Sequence, residues 1–455
     1  MKKSENVMKK SLGDIFKEGG LPCRLSFILF GAGNIGNSQI VKGILFLLTE
    51  IAYIVYMIMS GVHNLAALAT LGENQQGMTL DEKLGIYVVT QGDNSMLILL
   101  WGVVTAVITV LFLGFWYLNI RSGYEAHRLK TAGRKVPTFL EDIKSLANKN
   151  IHVGFMTFPL LGILVFTIMP LIYMILMAFT NYDAEHQPPG NLFDWVGLAN
   201  FRALASSSGK LSATFWPILG WTLIWGFVAT FSCYFLGMFL AMLINSKGIK
   251  LKKMWRTVFV MTMAIPVFIS LLVVGTMLGK NGIVNVLLQG WGFSSSPLPF
   301  LTDGLWAKCT VIVVNLWIGI PSTMIMVTGI LMNIPAELYE SAHIDGAGPV
   351  KTFLHITFPY MIFVTTPYLI TQLIGNFNNF GVIYFLTEGQ PNTLEYYKGA
   401  GRTDLLVTWL YKLTKDSKDY NLAATIGIVS FIISATFSLI SYTRSNAVKN
   451  EEGFM

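Results

Sequence analysis

The sequence predicts an all-α polytopic membrane protein of about eight transmembrane helices. Three observations lead there. Hydrophobic residues fill 53% of the 455 positions and charged residues only 13%, where a soluble domain carries about 25% charged residues. The apolar residues gather in runs long enough to cross a bilayer, which takes about 20 residues. The basic residues lie between those runs, so the net charge of +7 reads as membrane topology and not as a nucleic-acid surface.

The expected spans are 40–60, 96–118, 155–180, 216–245, 256–278, 306–332, 357–380 and 422–443. Prolines interrupt the third (Pro159, Pro170), the fifth (Pro266) and the sixth (Pro321). Such prolines are tolerated where neighbouring helices satisfy the freed backbone groups. Ahead of the first span, residues 11–38 are too interrupted to cross and read as an interfacial helix. Residues 31–36 match Gly-x-Gly-x-x-Gly, with Glu50 about 20 residues on. That fingerprint needs a strand–turn–helix setting, and a membrane span follows instead, so no dinucleotide site is expected. Glu50 inside the first span is read as structural. No cleavable signal peptide follows the basic amino terminus, because no clean apolar run with a small-residue cleavage site is present.

Lysine and arginine set the orientation. Lys2, Lys3, Lys9, Lys10, Lys17 and Arg24 precede the first span. Arg121, Arg128, Lys130, Arg134, Lys135, Lys144 and Lys149 join the second and third. Lys247, Lys250, Lys252, Lys253 and Arg256 join the fourth and fifth. The first–second connection has only Lys83 against Glu73, Asp81, Glu82 and Asp93. The positive-inside rule therefore puts both termini in the cytoplasm. The long connection 381–421 is then external, and its Asp404 is expected in an exposed loop pair or against a partner. Cys23, Cys233 and Cys309 have no metal-ligand spacing and are expected as small buried hydrophobes. The six histidines form no ligand cluster.

Between the sixth and seventh spans lies Glu340-Ser341-Ala342-His343-Ile344-Asp345-Gly346, followed by Ile356-Thr357-Phe358-Pro359. Pro335 can open a short helix, and Gly346 can stop it in a left-handed conformation. Ala342 and Gly346 are four apart and share one small-residue face. The segment resembles the EAA motif of ABC importer permeases, Glu-Ala-Ala, three residues, Gly, nine residues, Ile-x-Leu-Pro. Ser341 stands for the motif's second residue and Phe358 for its leucine. The orientation derived from basic residues puts this loop inside the cell, where the family docks its ATPase subunits. The resemblance implies that Glu340, Ser341, Ala342, Asp345 and Gly346 form the ATPase-docking element. No Gly-x-x-x-x-Gly-Lys-Ser/Thr sequence occurs, so this chain is expected to be no enzyme and to bind no cofactor, with ATP and Mg²⁺ on partner subunits.

Polar residues inside the spans mark candidate substrate contacts. Asn315, Gly319 and Ser322 fall near one face of the sixth span. Gln372, Asn376 and Asn379 punctuate the end of the seventh. Uncharged amides that both donate and accept suit a neutral polyhydroxylated ligand, and Trp317, Phe377 and Tyr384 are candidate rings for sugar faces. Interhelical hydrogen bonding is the competing role for any single asparagine. A phosphate ligand would call for a cation in these spans, and only Lys308 and Lys351 lie near their ends. A secondary transporter would call for coupling-ion carboxylates in mid-membrane.

Asn376–Phe380, the run Gly401–Thr408, and Asn421-Leu422-Ala423-Ala424-Thr425 together are similar to the MalF-type subunits of maltose and maltodextrin importers, over about residues 155–443. The resemblance implies a type I ABC importer (MetI-like) core of six helices plus two amino-terminal ones. It divides the chain into an amino-terminal segment 1–39, two spans within 40–150, the core 151–445 with its coupling loop at about 335–359, and a cytoplasmic tail 446–455. It also implies a second, MalG-like permease, two ATPase subunits, an extracellular binding protein, and a bacterial cell membrane location. Position by position, the implied substrate contacts are Asn315, Ile318, Gly319, Ser322, Gln372, Asn376 and Asn379. Ile318, Ser322 and Gln372 depart from the best-known member, and Gly375 stands where that member has an aromatic residue. The external segment 181–215 leaves no room for a large folded domain. Raffinose-type sugars and glycerol phosphate are the rival substrates that the family allows.

Overall fold

The computed structural model describes residues 10–81, 85–206, 208–246 and 248–444. Lys2, Lys3, Lys9, Glu82, Lys83, Lys247 and the tail 446–455 lie outside the described residues. Among the described residues, seven helices are long and apolar enough to cross a membrane: Ile40–Thr70, Ser95–Thr131, Ile151–Met177, Lys210–Asn245, Gly304–Leu331, Pro349–Thr387 and Tyr420–Thr443. The fifth of the eight expected spans is not one straight helix. Lys252–Met263 and Val267–Met277 meet at 85°. Pro266 stands in the break with ψ 125°; it has no N–H to continue the ladder. The helical fold carries one short hairpin, in which Gly77–Asp81 pairs antiparallel with Ile86–Thr90.

Two compact units divide at Val196 and Gly197. The third span, assigned above to the core, falls in the first unit. No residue of its apolar window is buried, and a π turn, Leu164–Ile168, separates Pro159 from Pro170. Residues 11–38 form three short helices, Leu12–Glu18, Leu21–Leu25 and Ala32–Gly36, instead of one interfacial helix. Ser11 and Asp14 close a capping box on the first. The other two pack on the second span through buried polar groups. Asn119 accepts the Gly31 N–H at 2.7 Å and donates to the Ser26 carbonyl at 2.9 Å. Glu50 accepts the Phe30 N–H at 2.9 Å. The intramembrane acid thus satisfies a backbone donor that lipid could not. Gly31, with φ 77°, lies so close to Gly43 that a Cβ would come within 2.0 Å of its carbonyl oxygen. The glycine pattern serves helix packing.

In the second unit Lys210–Asn245 is the axis. Gly304–Leu331 lies along it, and Tyr234, Met238, Ala241, Met324, Val327 and Met361 close one end of the core. The other end holds Phe215, Ile218, Leu406, Trp409, Leu413 and Ile426. The connection after the seventh span contains the helix Leu406–Lys415. Leu406, Trp409 and Leu413 are one turn apart on its inner face, where burial from water stabilises by about 1.5–3 kcal/mol per large side chain.

This packing corrects two expectations. Asp404 is not in an exposed loop pair. It is fully buried and bonds Lys412 Nζ at 2.8 Å, while neighbouring Arg402 pairs with Glu395 instead. Cys309 is exposed on its helix, whereas Cys23 and Cys233 are buried as expected.

Candidate functional site

A cavity of about 270 Å³ opens between the axis helix, the helix Gly304–Leu331 and the seventh span. Each wall follows from local sequence. Asn315, Ile318, Gly319 and Ser322 sit mid-helix at three- and four-residue steps, so they share a face. The seventh span stays helical to Phe377, breaks at Asn378 and Asn379, and resumes at Phe380–Thr387. That break turns Gln372, Asn376 and Asn379 to one side. All seven residues singled out in the sequence line this cavity.

The asparagines are also built into the protein. Asn376 donates to Thr230 Oγ1 at 2.9 Å, and Asn379 donates to Asn376 Oδ1 at 3.3 Å. Asn379 Oδ1 accepts the Val382 N–H at 3.2 Å, which caps the resumed helix. Asn315 donates to Cys233 Sγ at 3.5 Å, a weak acceptor. Ser322 bonds its own helix at the Gly319 carbonyl, 2.8 Å. Gly319 has a packing reason as well, since a Cβ there would come within 2.6 Å of Cys233 Sγ. Gln372 is the freest group; its amide has no hydrogen bond among the described residues. At Gly375 a Cβ would meet nothing within 4 Å.

Sequence reasoning missed the hydroxyl wall of Thr230, Tyr234, Thr323 and Tyr368. Tyr234 bonds Thr365 at 2.8 Å. The three proposed sugar-facing rings are elsewhere. Trp317 is 45% exposed on the outside of its helix. Phe377 is buried against Phe227 and Phe437, and Tyr384 stacks on Phe380 at 4.7 Å. Tyr234 and Tyr368 are the rings that reach the cavity. Among the described residues, no Asp, Glu, Lys, Arg or His lines it, and Lys308 lies over the Trp221 ring, 4.7 Å from its centre.

The second feature is the helix Ala336–Ile344. Pro335 precedes it, and Gly346 ends it with φ 73°. The Ala347 N–H reaches back to the Ala342 carbonyl at 2.9 Å, closing the turn as a left-handed cap does. Glu340, Ser341, Asp345 and Gly346 are exposed, and Ala342 is half-buried. Ile344, which the sequence reading passed over, is 85% exposed. An isoleucine so placed at a helix end is an apolar knob that the described residues leave uncovered.

The model of the family described as binding-protein-dependent transport system inner membrane component matches residues 233–447. The maltodextrin transport system permease protein MdxF of Bacillus subtilis is 36% identical over 433 residues, 93% of this chain and 95% of that one. The galactooligosaccharides transport system permease protein GanP of the same organism is 30% identical over 428 residues, 93% and 97% of the two chains. Among solved structures, a bacterial ABC transporter involved in import of the acidic polysaccharide alginate aligns with TM-score 0.55. It covers 67% of this chain and 98% of that chain at 23% identity, a likeness of fold.

Proposed function

Because the chain belongs to the binding-protein-dependent transport system inner membrane component family, we propose that it is the membrane-spanning permease of an ATP-driven importer of neutral maltodextrin-type oligosaccharides. One observation carries the reading: among the described residues, the intramembrane cavity is lined by amides and hydroxyls interleaved with small and apolar side chains, and by no charged residue. Sugar hydroxyls both donate and accept, and so do these groups. An ion-coupled transporter would need a carboxylate there, and a phosphate ester would need a cation. Glu50, the intramembrane acid, is engaged by the Phe30 backbone.

Two ATPase subunits dock on this chain and on a second, MalG-like permease. Exposed Glu340, Ser341, Asp345 and Gly346 offer the contact, and Ile344 supplies its apolar anchor. An external binding protein delivers the sugar. ATP binding and hydrolysis shift the path between outward and inward states, each partner favouring one of them. A second reading, a galacto-oligosaccharide as substrate, is favoured by the full-length match to GanP. Uptake of labelled maltodextrin by cells carrying the complex separates the two. Labelled galacto-oligosaccharide should not enter the same cells; uptake of it and not of maltodextrin would reassign the substrate.

Two further expectations follow. Asn376→Ala should weaken uptake about three- to tenfold, as the net loss of one hydrogen bond of about 0.5–1.5 kcal/mol implies. Asn379→Ala also removes a helix cap, so Asn379→Ser, which keeps a capping oxygen, is the cleaner probe of the cavity. Unchanged uptake in the Asn376→Ala, Asn379→Ser pair would remove both from the sugar path. For orientation, a reporter active only outside the cytoplasm should work at Gly190 and Gln390 and fail at Lys135 and Gly248. The opposite pattern would move the docking helix to the wrong side.

A further inference from the structure

The helix Ala336–Ile344 is almost detached from its own chain. It makes only sparse contacts with other elements, and only Tyr339 and Ala342 of its residues are not exposed. Among the described residues, one side-chain hydrogen bond leaves it. The Tyr339 hydroxyl meets the Thr357 hydroxyl at 3.0 Å. Thr357 is buried and closes the π turn Phe353–Thr357. π turns interrupt regular helical bonding and persist where packing or function holds them.

The regular helix Phe358–Phe377 starts at the next residue. It carries Tyr368, Leu369, Gln372 and Asn376 into the cavity wall. Gln372 is fifteen residues beyond Thr357, about 22 Å of helix at 1.5 Å per residue. A helix moved at its foot moves at its far end. The covalent route from docking helix to span is less suited to this, because it runs through Gly346 and Gly348 and turns at a positive φ. A two-glycine tether bends before it pushes.

We propose that the Tyr339–Thr357 hydroxyl pair is the strut through which the docking helix drives the seventh span, and that it sets how tightly ATP hydrolysis is coupled to sugar movement. The inference rests on the importer reading. Tyr339 and Thr357 act through the helix they join and touch neither sugar nor nucleotide, so they are positioning residues.

The test uses the full complex with its second permease, ATPases and binding protein in proteoliposomes. Sugar uptake and ATP hydrolysis are measured together. Tyr339→Phe and Thr357→Val should each raise the ATP hydrolysed per sugar imported about two- to tenfold, while the ATPases still co-purify. Thr357→Ser, which keeps the hydroxyl, should restore the wild-type ratio. The double variant should be no worse than the single ones, because one bond is lost only once. A wild-type ratio in both single variants, or additive losses in the double, would overturn the strut. So would loss of ATPase co-purification in Tyr339→Phe, since the tyrosine would then belong to docking itself. A wild-type complex that imports without ATP hydrolysis would instead sink the importer reading, and the two failures are separable.

Discussion

Lys412→Met is expected to destabilise the second unit by about 3–5 kcal/mol, the cost of stranding a buried charge. Asp404 is fully buried. Its carboxylate takes Lys412 Nζ at 2.8 Å, the Gly401 N–H at 2.7 Å and the Thr408 hydroxyl at 2.9 Å. Burial pushes the Asp404 carboxyl above its ordinary range, while Lys412 and the other donors pull it back. An acid whose folded-state pKa is raised binds its proton more tightly folded than unfolded. Its contribution is therefore most favourable below the unfolded value and is lost as pH rises through the folded one. Without Lys412 the upward push is unopposed. The deficit of Lys412→Met should accordingly shrink as pH falls toward the carboxyl range. Asp404→Asn combined with Lys412→Met should recover much of the loss, because no charge is left unpaired. Denaturant series on the detergent-solubilised protein at two pH values read both effects. A single variant as stable as wild type at neutral pH would show that the pair is not a buried one.

Gly346→Val together with Ile344→Asp should abolish sugar-stimulated ATP hydrolysis in the reconstituted complex. Gly346 has φ 73°, a region that costs an L-residue about 1–2 kcal/mol and a β-branched one more. A Cβ there would meet nothing of this chain within 4 Å, so the backbone pays that cost and the open face is left for the partner. Ile344→Asp puts a charge on the exposed apolar knob of the proposed docking contact. Ala342→Trp is the poorer variant, because Ala342 is half-buried against its own chain. The external binding protein folds separately and should bind sugar unchanged. Full stimulation in the double variant would mean that this loop is not the docking element.

The spans were legible because the bilayer demands long apolar runs, and their ends were not, because helices such as Ser95–Thr131 continue well past the lipid. The fifth span was legible with its interruption at Pro266, but the 85° of the bend was not. Hydropathy averages across Pro266, while the backbone cannot. The hairpin was half legible: Ile86-Tyr87-Val88-Val89-Thr90 is β-branched and aromatic, but its partner Gly77–Asp81 carries no such bias. The three amino-terminal helices are too short for a periodic pattern. The second and third are anchored by Asn119, far away in sequence.

The cavity residues were found as amides within apolar runs, a rare and informative signal in membranes. Its threonines and tyrosines were not, because Thr and Tyr are ordinary in spans and only the fold sorts those facing inward. The Asp404–Lys412 pair was hidden by an exposed-loop assumption, although Leu405, Leu406, Trp409 and Leu413 around it already describe a buried helix face.

The central claim is that this chain conducts a neutral sugar under the control of ATP bound elsewhere. The direct measurement is maltodextrin uptake into proteoliposomes holding the chain with its second permease, ATPases and binding protein. The account predicts uptake that requires ATP and the binding protein and ignores proton and sodium gradients. Uptake driven by an ion gradient with ATP absent would contradict it.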